Sequence, residues 1–207
     1  MICLAPRAPG DSVRPRRPAG VVTRPLNFTV RGQMDAPVVT AALEGAFPLL
    51  PLPSMSPRQA QLADQSMSRR ITKEEWVAAG TLDAGRTWQE FTVEELIQCQ
   101  SALSHFDEES FVYYLPAYLR YAVRYCNVDV LHPTSELMGS AVFSVTDDSP
   151  HSLRRYKRLS TPQRAAVVCF LEFMSEHAEA FIASLAQKSL VRYWNNDERD
   201  KPLVIVP

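Results

Sequence analysis

Glycine-rich phosphate-binding loops and nucleophile elbows are absent from this chain of 207 residues, which contains only seven glycines. P-loop and dinucleotide-binding sites need such glycines, because the backbone must approach the phosphates closely. Long apolar runs are absent too: the densest, residues 165–171, ends at Glu172, far short of the roughly 18 residues that a membrane span requires. The sequence therefore excludes these nucleotide sites and a membrane span within these residues.

Cysteines are few and widely separated. Cys3, Cys99, Cys126 and Cys169 form no C-x-x-C pair. An even count fits disulfides in a secreted protein, but no secretory signal is present and the last three occupy helical-face positions, which favours reduced packing residues. We therefore expect a cytoplasmic protein.

No metal-ligand or catalytic motif is recognisable. Glu172 and Glu176 are one helical turn apart, but the Glu-x-x-His pattern of carboxylate-bridged sites does not occur. Cys169 falls within an apolar helix, where burial would raise the pKa of its thiol. We predict no metal, no cofactor and no catalytic residue. An enzyme whose site assembles from distant residues is the third alternative, which a pocket lined by His105, Tyr113 or Glu172 with shifted pKa values would support.

Residues 1–33 contain five prolines and six arginines but one acid, Asp11, and have no apolar period. We predict a disordered basic arm, because too few hydrophobic groups are present to offset the ordering entropy. Three interpretations compete: an organellar transit peptide, whose helix the prolines would break; an arm that contacts phosphate; and an upstream extension before a true start at Met34. The remaining residues carry a net charge of −6, which argues against nucleic-acid binding over the whole surface.

Hydrophobic periodicity predicts an all-α fold, a compact multi-helix bundle that forms one domain over residues 34–195, followed by a tail at 196–207. A first short helix is expected from Asp35 and must stop at Pro48. Further helix-start signals lie at Ser56-Pro57, Thr72–Glu75, Thr92–Glu95 and Asp107. Gly80 is expected to end the helix that starts at Thr72, and the next helix is expected to continue to about Phe106.

The second half of the chain continues the helical pattern. Pro116 predicts two helices or a kink near Leu115, because proline removes one helical hydrogen bond. Later helices are expected at 134–143, 162–174 and 178–193, with a loop at 147–150. Thr161 is the expected cap of helix 162–174, with Ser160 as the alternative, and this helix is apolar nearly all round, which is typical of a central helix. Residues 203–206 would supply at most one edge strand.

The segment 111–126 holds five of the seven tyrosines. Four of them recur at the spacing of one helical stripe, and two arginines lie on a neighbouring stripe. Tyrosine and arginine are enriched at binding hot spots, although the same spacing also fits tyrosines that pack at the core edge with their hydroxyls in water. The candidate partner-contact residues are Tyr118, Arg120, Tyr121 and Arg124.

A basic run forms the strongest local charge signal. It contains Arg154, Arg155, Lys157 and Arg158, with Tyr156 between them. These residues could bind phosphate or an acidic partner, and the tyrosine could stack on a base. The competing interpretation is a solvated, mobile connection before a helix. Nucleic-acid binding through this run is the alternative function, and it predicts affinity that falls steeply with salt.

Three motifs carry a family resemblance. They are Trp88-Gln89-Glu90-Phe91, the run from Phe111 through Tyr113-Tyr114-Leu115-Pro116-Ala117-Tyr118-Leu119, and Leu159-Ser160-Thr161-Pro162-Gln163-Arg164 through Phe173. Over roughly residues 35–194 the chain resembles a family of small uncharacterised bacterial proteins, in which a glutamate tends to stand at the position of Gln163. The resemblance supports a start at Met34 and implies a fold. It implies no activity and no site residue.

Taken together, these patterns predict a cytoplasmic protein-interaction module, regulatory or immunity-like, with an unidentified protein partner. The motivation is the stripe of tyrosines and arginines combined with the lack of catalytic motifs.

Overall fold

The computed structural model describes residues 35–127 and 134–195. Within these ranges the chain forms ten α-helices and no β-strand, which confirms the predicted all-α fold. None of the described helices is both long enough and apolar enough to cross a bilayer. The predicted basic arm, the proposed start at Met34, and the tail with its stretch 203–206 lie outside the described residues.

The helices follow one another with short connections. In chain order they are α1 (Ala36–Ala46), α2 (Pro57–Gln65), α3 (Lys73–Asp83), α4 (Val93–Gln98), α5 (Ala102–His105), α6 (Glu108–Arg124), α7 (Thr134–Thr146), α8 (Pro150–Lys157), α9 (Thr161–His177) and α10 (Ala180–Ser189). A 3₁₀ turn, Trp88–Glu90, precedes α4, and a π-helical turn, Leu190–Trp194, follows α10.

Side-chain caps begin the helices where the sequence predicts them. Ser56, Thr72 and Thr92 each form a capping box with the Gln or Glu three residues later, so two backbone N–H groups are satisfied reciprocally. Asp107 caps α6 by accepting a hydrogen bond of 2.7 Å from the third residue of that helix. The cap of α9 is the alternative one, Ser160.

Gly80 does not end α3, contrary to expectation; the helix continues to Asp83. A Cβ atom at Gly80 would lie 2.7 Å from the side-chain nitrogen of Gln59, which donates a hydrogen bond to the Trp76 carbonyl at 3.2 Å. The lack of a side chain at Gly80 leaves room for the hydrogen-bonded Gln59 side chain of α2. The chain reverses instead at Gly85, whose φ of 75° suits glycine.

The helix predicted to run from Thr92 to about Phe106 is interrupted after Gln98. Cys99 leaves the helical conformation with φ −114° and ψ 34°, and its carbonyl accepts a hydrogen bond of 2.9 Å from the Tyr118 hydroxyl. The helical period continues through this point in the sequence. The interruption therefore accompanies a tertiary contact that the local pattern does not contain.

Pro116 lies inside α6 without dividing it, so the predicted pair of helices is wrong. A proline in a helix interior costs about 3 kcal/mol through its lost hydrogen bond and ring clash. The helix tolerates it because the residues on either side, including Leu115, Ala117 and Leu119, are all buried in the core. Packing on several faces holds the helix together across the missing bond.

The predicted loop at 147–150 is confirmed over residues 147–149, whereas the expected mobile connection at 154–158 is corrected. Ser149 caps α8 by accepting a hydrogen bond of 3.2 Å from the Ser152 backbone, and Pro150 occupies the first helical position. Most of the basic run therefore lies on an ordered helix. The sequence carries this start signal, Ser-Pro, and the prediction missed it.

One contiguous core joins these elements, with α6 and α9 at its centre. Helix α6 packs against α1, α7, α8 and α9, and α9 also packs against α1 and α10. The largest fully buried side chains are Trp88, Tyr118, Tyr156, Phe106, Phe111 and Phe170. Two of these are tyrosines, so the core contains hydroxyl groups that must find partners.

Candidate functional site

An open cleft of about 920 Å³ lies between α1, the start of α4 and the C-terminal half of α6. Small and apolar side chains form much of its lining, while charged side chains from all three helices contribute the rest. The lining includes Pro37, Thr40, Ala41, Glu44, Val93, Glu94, Leu96, Ala117, Arg120, Tyr121, Val123, Arg124 and Tyr125. All four predicted contact residues belong to α6, and three of them line this cleft.

Arg120 is positioned by contacts on both sides of α6. Its guanidinium donates a hydrogen bond of 3.1 Å to the Gln89 carbonyl, lies 3.5 Å from a Glu44 carboxylate oxygen and sits 5.3 Å from the centre of the Trp88 ring. The side chain is nevertheless 28% exposed. Arg120 thus fixes the α1 side of the cleft and keeps part of its charge accessible.

Arg124 is the more available cation. It lies in the last turn of α6, where the helix dipole favours positive charge, and it is exposed. Its guanidinium lies 5.5 Å from the centre of the Tyr125 ring. Within the described part of the chain no carboxylate lies within ion-pairing distance of it. Arg124 therefore presents an uncompensated charge at the edge of the cleft.

Three of the four tyrosines of the predicted stripe are buried, and the fourth, Tyr125, is half-buried and lines the cleft. Tyr118 is fully buried and Tyr121 is 4% exposed. Because burial disfavours the charged form, the pKa of Tyr118 lies well above its usual value. This placement corrects the expected role of Tyr118, because its hydroxyl donates a hydrogen bond inside the core. Tyr121 exposes only a small part of its side chain to the cleft. Partner contact stays a prediction for Arg120 and Arg124.

Tyr114, the first tyrosine of the stripe, shows why most of the stripe lies in the core. The Tyr114 ring stacks on Phe106 with 5.3 Å between centroids and meets Phe91 edge-on at 5.7 Å. Burial raises the pKa of Tyr114 above its usual value. Aromatic rings in these arrangements attract one another beyond their buried area. The aromatic density that suggested a recognition surface is therefore mainly core packing.

The residues of the basic run differ in burial, so some belong to the core and others to the surface. Arg155 is 3% exposed and donates hydrogen bonds to the Leu103 carbonyl at 2.5 Å and the Ser152 hydroxyl at 3.1 Å, with its guanidinium 4.2 Å from the centre of the Phe111 ring. Burial lowers its pKa. Arg155 is thus a core residue, and its expected role in binding nucleic acid is corrected.

Tyr156 is also a core residue. Its hydroxyl donates to the carbonyls of Ser144 and Asp147, each at 2.9 Å, and the residue is 1% exposed. A base could not stack on a ring in this position. The suggested stacking role of Tyr156 is therefore corrected as well.

Arg154, Lys157 and Arg158 stay on the surface. Arg158 lies 3.6 Å from a Glu108 oxygen and 3.7 Å from a Glu109 oxygen. These carboxylates reduce the positive potential at this end of α8, since charges this close interact even in water. Nucleic-acid binding remains a prediction, with three surface cations instead of four.

The residues suggested for a dispersed active site lie on three different helices. His105 on α5 contacts an Asp64 oxygen through Nε2 at 3.0 Å, and Tyr113 on α6 donates to the Leu49 carbonyl at 2.7 Å. Burial, followed by the nearby charge of Glu176, raises the pKa of Glu172 on α9. The structure does not bring these three residues to one described cleft, and burial also raises the pKa of the Cys169 thiol. In the described ranges no three His, Cys, Asp or Glu residues are grouped to hold a metal ion.

The architecture is that of a small helical domain with a surface cleft and no recognisable catalytic constellation in its described part. The chain belongs to a family of unknown function, DUF6714, whose model matches residues 37–198. This match covers nearly the same span as the resemblance based on the tyrosine and proline motifs. Comparison with curated proteins and with solved structures finds no match.

Proposed function

We propose that this protein is a protein-interaction module that binds a segment of a partner in the cleft between α1, α4 and α6. The observation that carries the proposal is the exposed, uncompensated charge of Arg124 beside a cleft whose lining is partly apolar. Arginine at the edge of a protected apolar surface is a common binding hot spot.

The shape of the cleft favours an amphipathic helix as the bound segment. Helices α1 and α4 contribute to the lining together with α6, a geometry used when an apolar helix face enters a groove. Pro37 and Ala41 are exposed and Val93 is half-buried, so these lining residues offer apolar surface that a partner can contact. A carboxylate on the bound helix would pair with Arg124, while Arg120 would contribute its exposed fraction.

We further propose that the protein acts in a bacterial cytoplasm as a regulatory or immunity-like partner. The three described cysteines, Cys99, Cys126 and Cys169, are all free, which is compatible with a reducing compartment. Burial raises the pKa of Cys99 to about 12, so this thiol resists oxidation and thiolate chemistry at neutral pH.

The proposal is tested by capture from nuclease-treated native lysate with the full tagged chain and two variants. Arg124→Glu should lose a stoichiometric partner that the wild type retains, with a loss of at least roughly tenfold. Arg154→Glu is the matched control, because it makes the same charge change at another exposed arginine, outside the cleft. Thermal melts should show that both variants remain folded.

The same two variants distinguish protein binding in the cleft from the alternative function, nucleic-acid binding. If nucleic acid is the true ligand, Arg154→Glu should be the more damaging change, and binding should weaken steeply as salt is raised. Equal capture of a protein partner by wild type and Arg124→Glu would contradict the cleft assignment. The double variant Arg120→Glu/Arg124→Glu extends the test, and its thermal melt is needed because Arg120 also contacts Gln89 and Glu44.

A further inference from the structure

A second cleft, of about 560 Å³, lies between the end of α7, helix α8 and helix α10, with α5 at its edge. A volume in this range suits a small-molecule ligand. Five of the side chains that line the cleft carry a hydroxyl group: Ser104, Ser140, Ser144, Thr146 and Ser152. The lining is therefore suited to a polar ligand, and it shares no residue with the lining of the cleft of Arg124.

Arg155 supplies a buried hydrogen-bond donor at this cleft. The residue belongs to the lining although it is only 3% exposed. Its Nη1 and Nη2 atoms donate to the Leu103 carbonyl and the Ser152 hydroxyl, but its Nε–H has no hydrogen-bond partner among the described residues. Nε and Nη2 form one edge of the planar guanidinium, so this N–H lies on the side of Ser152. Because a buried donor without a partner is costly, an acceptor brought by a ligand is favoured here.

Two carboxylates in the same cleft supply acceptors. Asp148 accepts from Arg192 through one oxygen, Oδ2, at 2.8 Å, and its side chain is 59% exposed. A carboxylate can accept about four hydrogen bonds, so Asp148 retains acceptor capacity although it is already paired. Asp147 also belongs to the lining, where it accepts from the Ser152 hydroxyl at 2.5 Å. A ligand in this cleft therefore meets a strong donor and strong acceptors together.

The positions of these charges restrict the kind of ligand. An ammonium group would approach the buried cation of Arg155, and a phosphate or carboxylate group would approach Asp147 and Asp148. Both arrangements bring like charges together, which is unfavourable. A hydroxyl group carries no charge, and it accepts and donates hydrogen bonds through the same oxygen. The cleft therefore favours a neutral ligand with adjacent hydroxyl groups.

Phe143 adds an aromatic face to the cleft. The residue is 47% exposed, and its ring centre lies 6.3 Å from that of Phe181. An aromatic ring has a negative face, which attracts the polarised C–H groups of a sugar ring. A linear diol has no comparable flat face of C–H groups. The exposed ring therefore selects a cyclic sugar among the neutral hydroxylated molecules.

We propose that this cleft binds a sugar ring through adjacent hydroxyl groups. One hydroxyl accepts from Nε of Arg155, a neighbouring hydroxyl donates to Asp147 or Asp148, and the C–H face of the ring lies against Phe143. A free monosaccharide and the ribose of a nucleoside share this chemistry, and titration distinguishes the two sources. The site is separate from the proposed protein-binding cleft, so its failure would leave the proposed function standing.

Calorimetric titration of the full chain tests the class of ligand. The probes are glucose, galactose and ribose, then adenosine with adenine as the analogue that lacks hydroxyl groups, and finally inorganic phosphate and putrescine as charged probes. We expect at least one hydroxylated probe to saturate with a Kd of about 1 mM or tighter, and both charged probes to bind at least roughly tenfold more weakly. Saturation by a free sugar would identify a saccharide site, whereas saturation by adenosine alone would identify a nucleoside site.

Three outcomes of this titration would overturn the proposal. The first is the absence of saturation by every hydroxylated probe up to about 10 mM, which would leave only water as the partner of the Arg155 donor. The second is tighter binding of phosphate or putrescine than of any hydroxylated probe. The third is binding of adenine as tight as that of adenosine with no binding of the free sugars.

Variants then locate the site. Ser104→Trp places a large ring at an exposed position of the lining and should weaken binding by at least roughly tenfold. Ser54→Trp is the matched control, because Ser54 is exposed and lies outside the lining, and it should leave the Kd unchanged. Arg155→Lys keeps the positive charge but loses the Nε donor, so we expect a similar loss, measured on a variant whose thermal melt shows that it is folded. An unchanged Kd for Ser104→Trp, or equal losses for Ser104→Trp and Ser54→Trp, would contradict the assignment of this cleft whatever the stability of Arg155→Lys.

Discussion

Buried charge is stabilised differently in two regions of the molecule. One is the ionic network between α2, α3 and α4, and the other is the buried Arg155 of α8. In the network, Arg58 pairs with the fully buried carboxylate of Asp83 and lies 3.0 Å from Glu95, while Arg86 lies 2.7 Å from the same Glu95 oxygen. Opposite charges compensate one another there, at a site that water still reaches in part.

Arg155 has no such partner. No described carboxylate lies within ion-pairing distance of it, and its charge is met by a carbonyl, a hydroxyl and the face of an aromatic ring. The nearest acid, Asp147, is one step away, because the Ser152 hydroxyl donates to Asp147 at 2.5 Å and accepts from Arg155. Helix α8 therefore depends on hydrogen-bond geometry, whereas the network depends on ionised carboxylates.

The largest effect in this comparison is expected from Arg155→Ala. The change would leave the Leu103 carbonyl without its donor and open a cavity beside Phe111, so the free energy of unfolding should fall by about 3 kcal/mol. Arg154→Ala is the control on the exposed side of the same helix and should change stability by less than about 0.5 kcal/mol. Urea unfolding of both variants measures the difference, and equal losses would show that the buried contacts of Arg155 contribute little to stability.

Asp83→Asn tests the network at its buried centre. Asp83 accepts from the backbone and the guanidinium of Arg58 through different oxygens, so asparagine would keep the shape but lose the charge and one of the two acceptors. We expect a loss of about 2 kcal/mol, since a charge in a partly buried pair is left under-compensated. Asp35→Asn is the control, because Asp35 is exposed and its side chain makes no cap hydrogen bond. A loss at Asp83 no larger than at Asp35 would mean that the network contributes little.

The helix boundaries that sequence predicts well are those set by local chemistry. The capping boxes at Ser56, Thr72 and Thr92 join residues three apart, so the whole interaction is contained in the printed sequence. The missed start of α8 at Ser149-Pro150 is also local and was overlooked, whereas two other missed boundaries depend on distant residues. Gly80 makes room for the Gln59 side chain of α2, and the interruption at Cys99 accompanies a hydrogen bond from α6.

The candidate site shows the same limit. Helical spacing places Tyr118 and Arg120 on neighbouring stripes, but spacing alone does not say which stripe faces the core. Tyr118 proves buried while Arg120 stays partly exposed. In the basic run, likewise, Arg155 and Arg154 are adjacent and chemically identical, and only the position of α8 against Leu103 and Phe111 separates a core residue from a surface cation.

The smallest effect is expected from Glu95→Gln. This variant also shows whether the stability of the two regions depends on pH in different ways. A hydrogen bond from Arg86 holds the pKa of Glu95 well below its usual value, with further help from the Thr92 backbone and Arg58. A carboxyl whose pKa is lowered by folding adds stability above its unfolded pKa, and this contribution is lost as pH falls through the folded value. Glutamine can keep one oxygen as the capping-box acceptor for Thr92, but its amide nitrogen then replaces the oxygen that accepts from Arg58 and Arg86, so the variant removes the charge together with that acceptor.

At pH 7 we expect wild type to exceed Glu95→Gln by about 1 kcal/mol, a value reduced by water at this partly exposed site. In urea unfolding the difference should hold from pH 7 to about pH 5 and then shrink toward about pH 3, because below the unfolded pKa the carboxyl of the unfolded chain takes up a proton while the folded one still resists it. The deficit of Arg155→Ala should change much less over the same range, since its direct partners do not titrate. If the difference in the free energy of unfolding between wild type and Glu95→Gln did not change with pH, Arg86 and Arg58 would not depend on the charge of Glu95. The two regions would then differ only in burial.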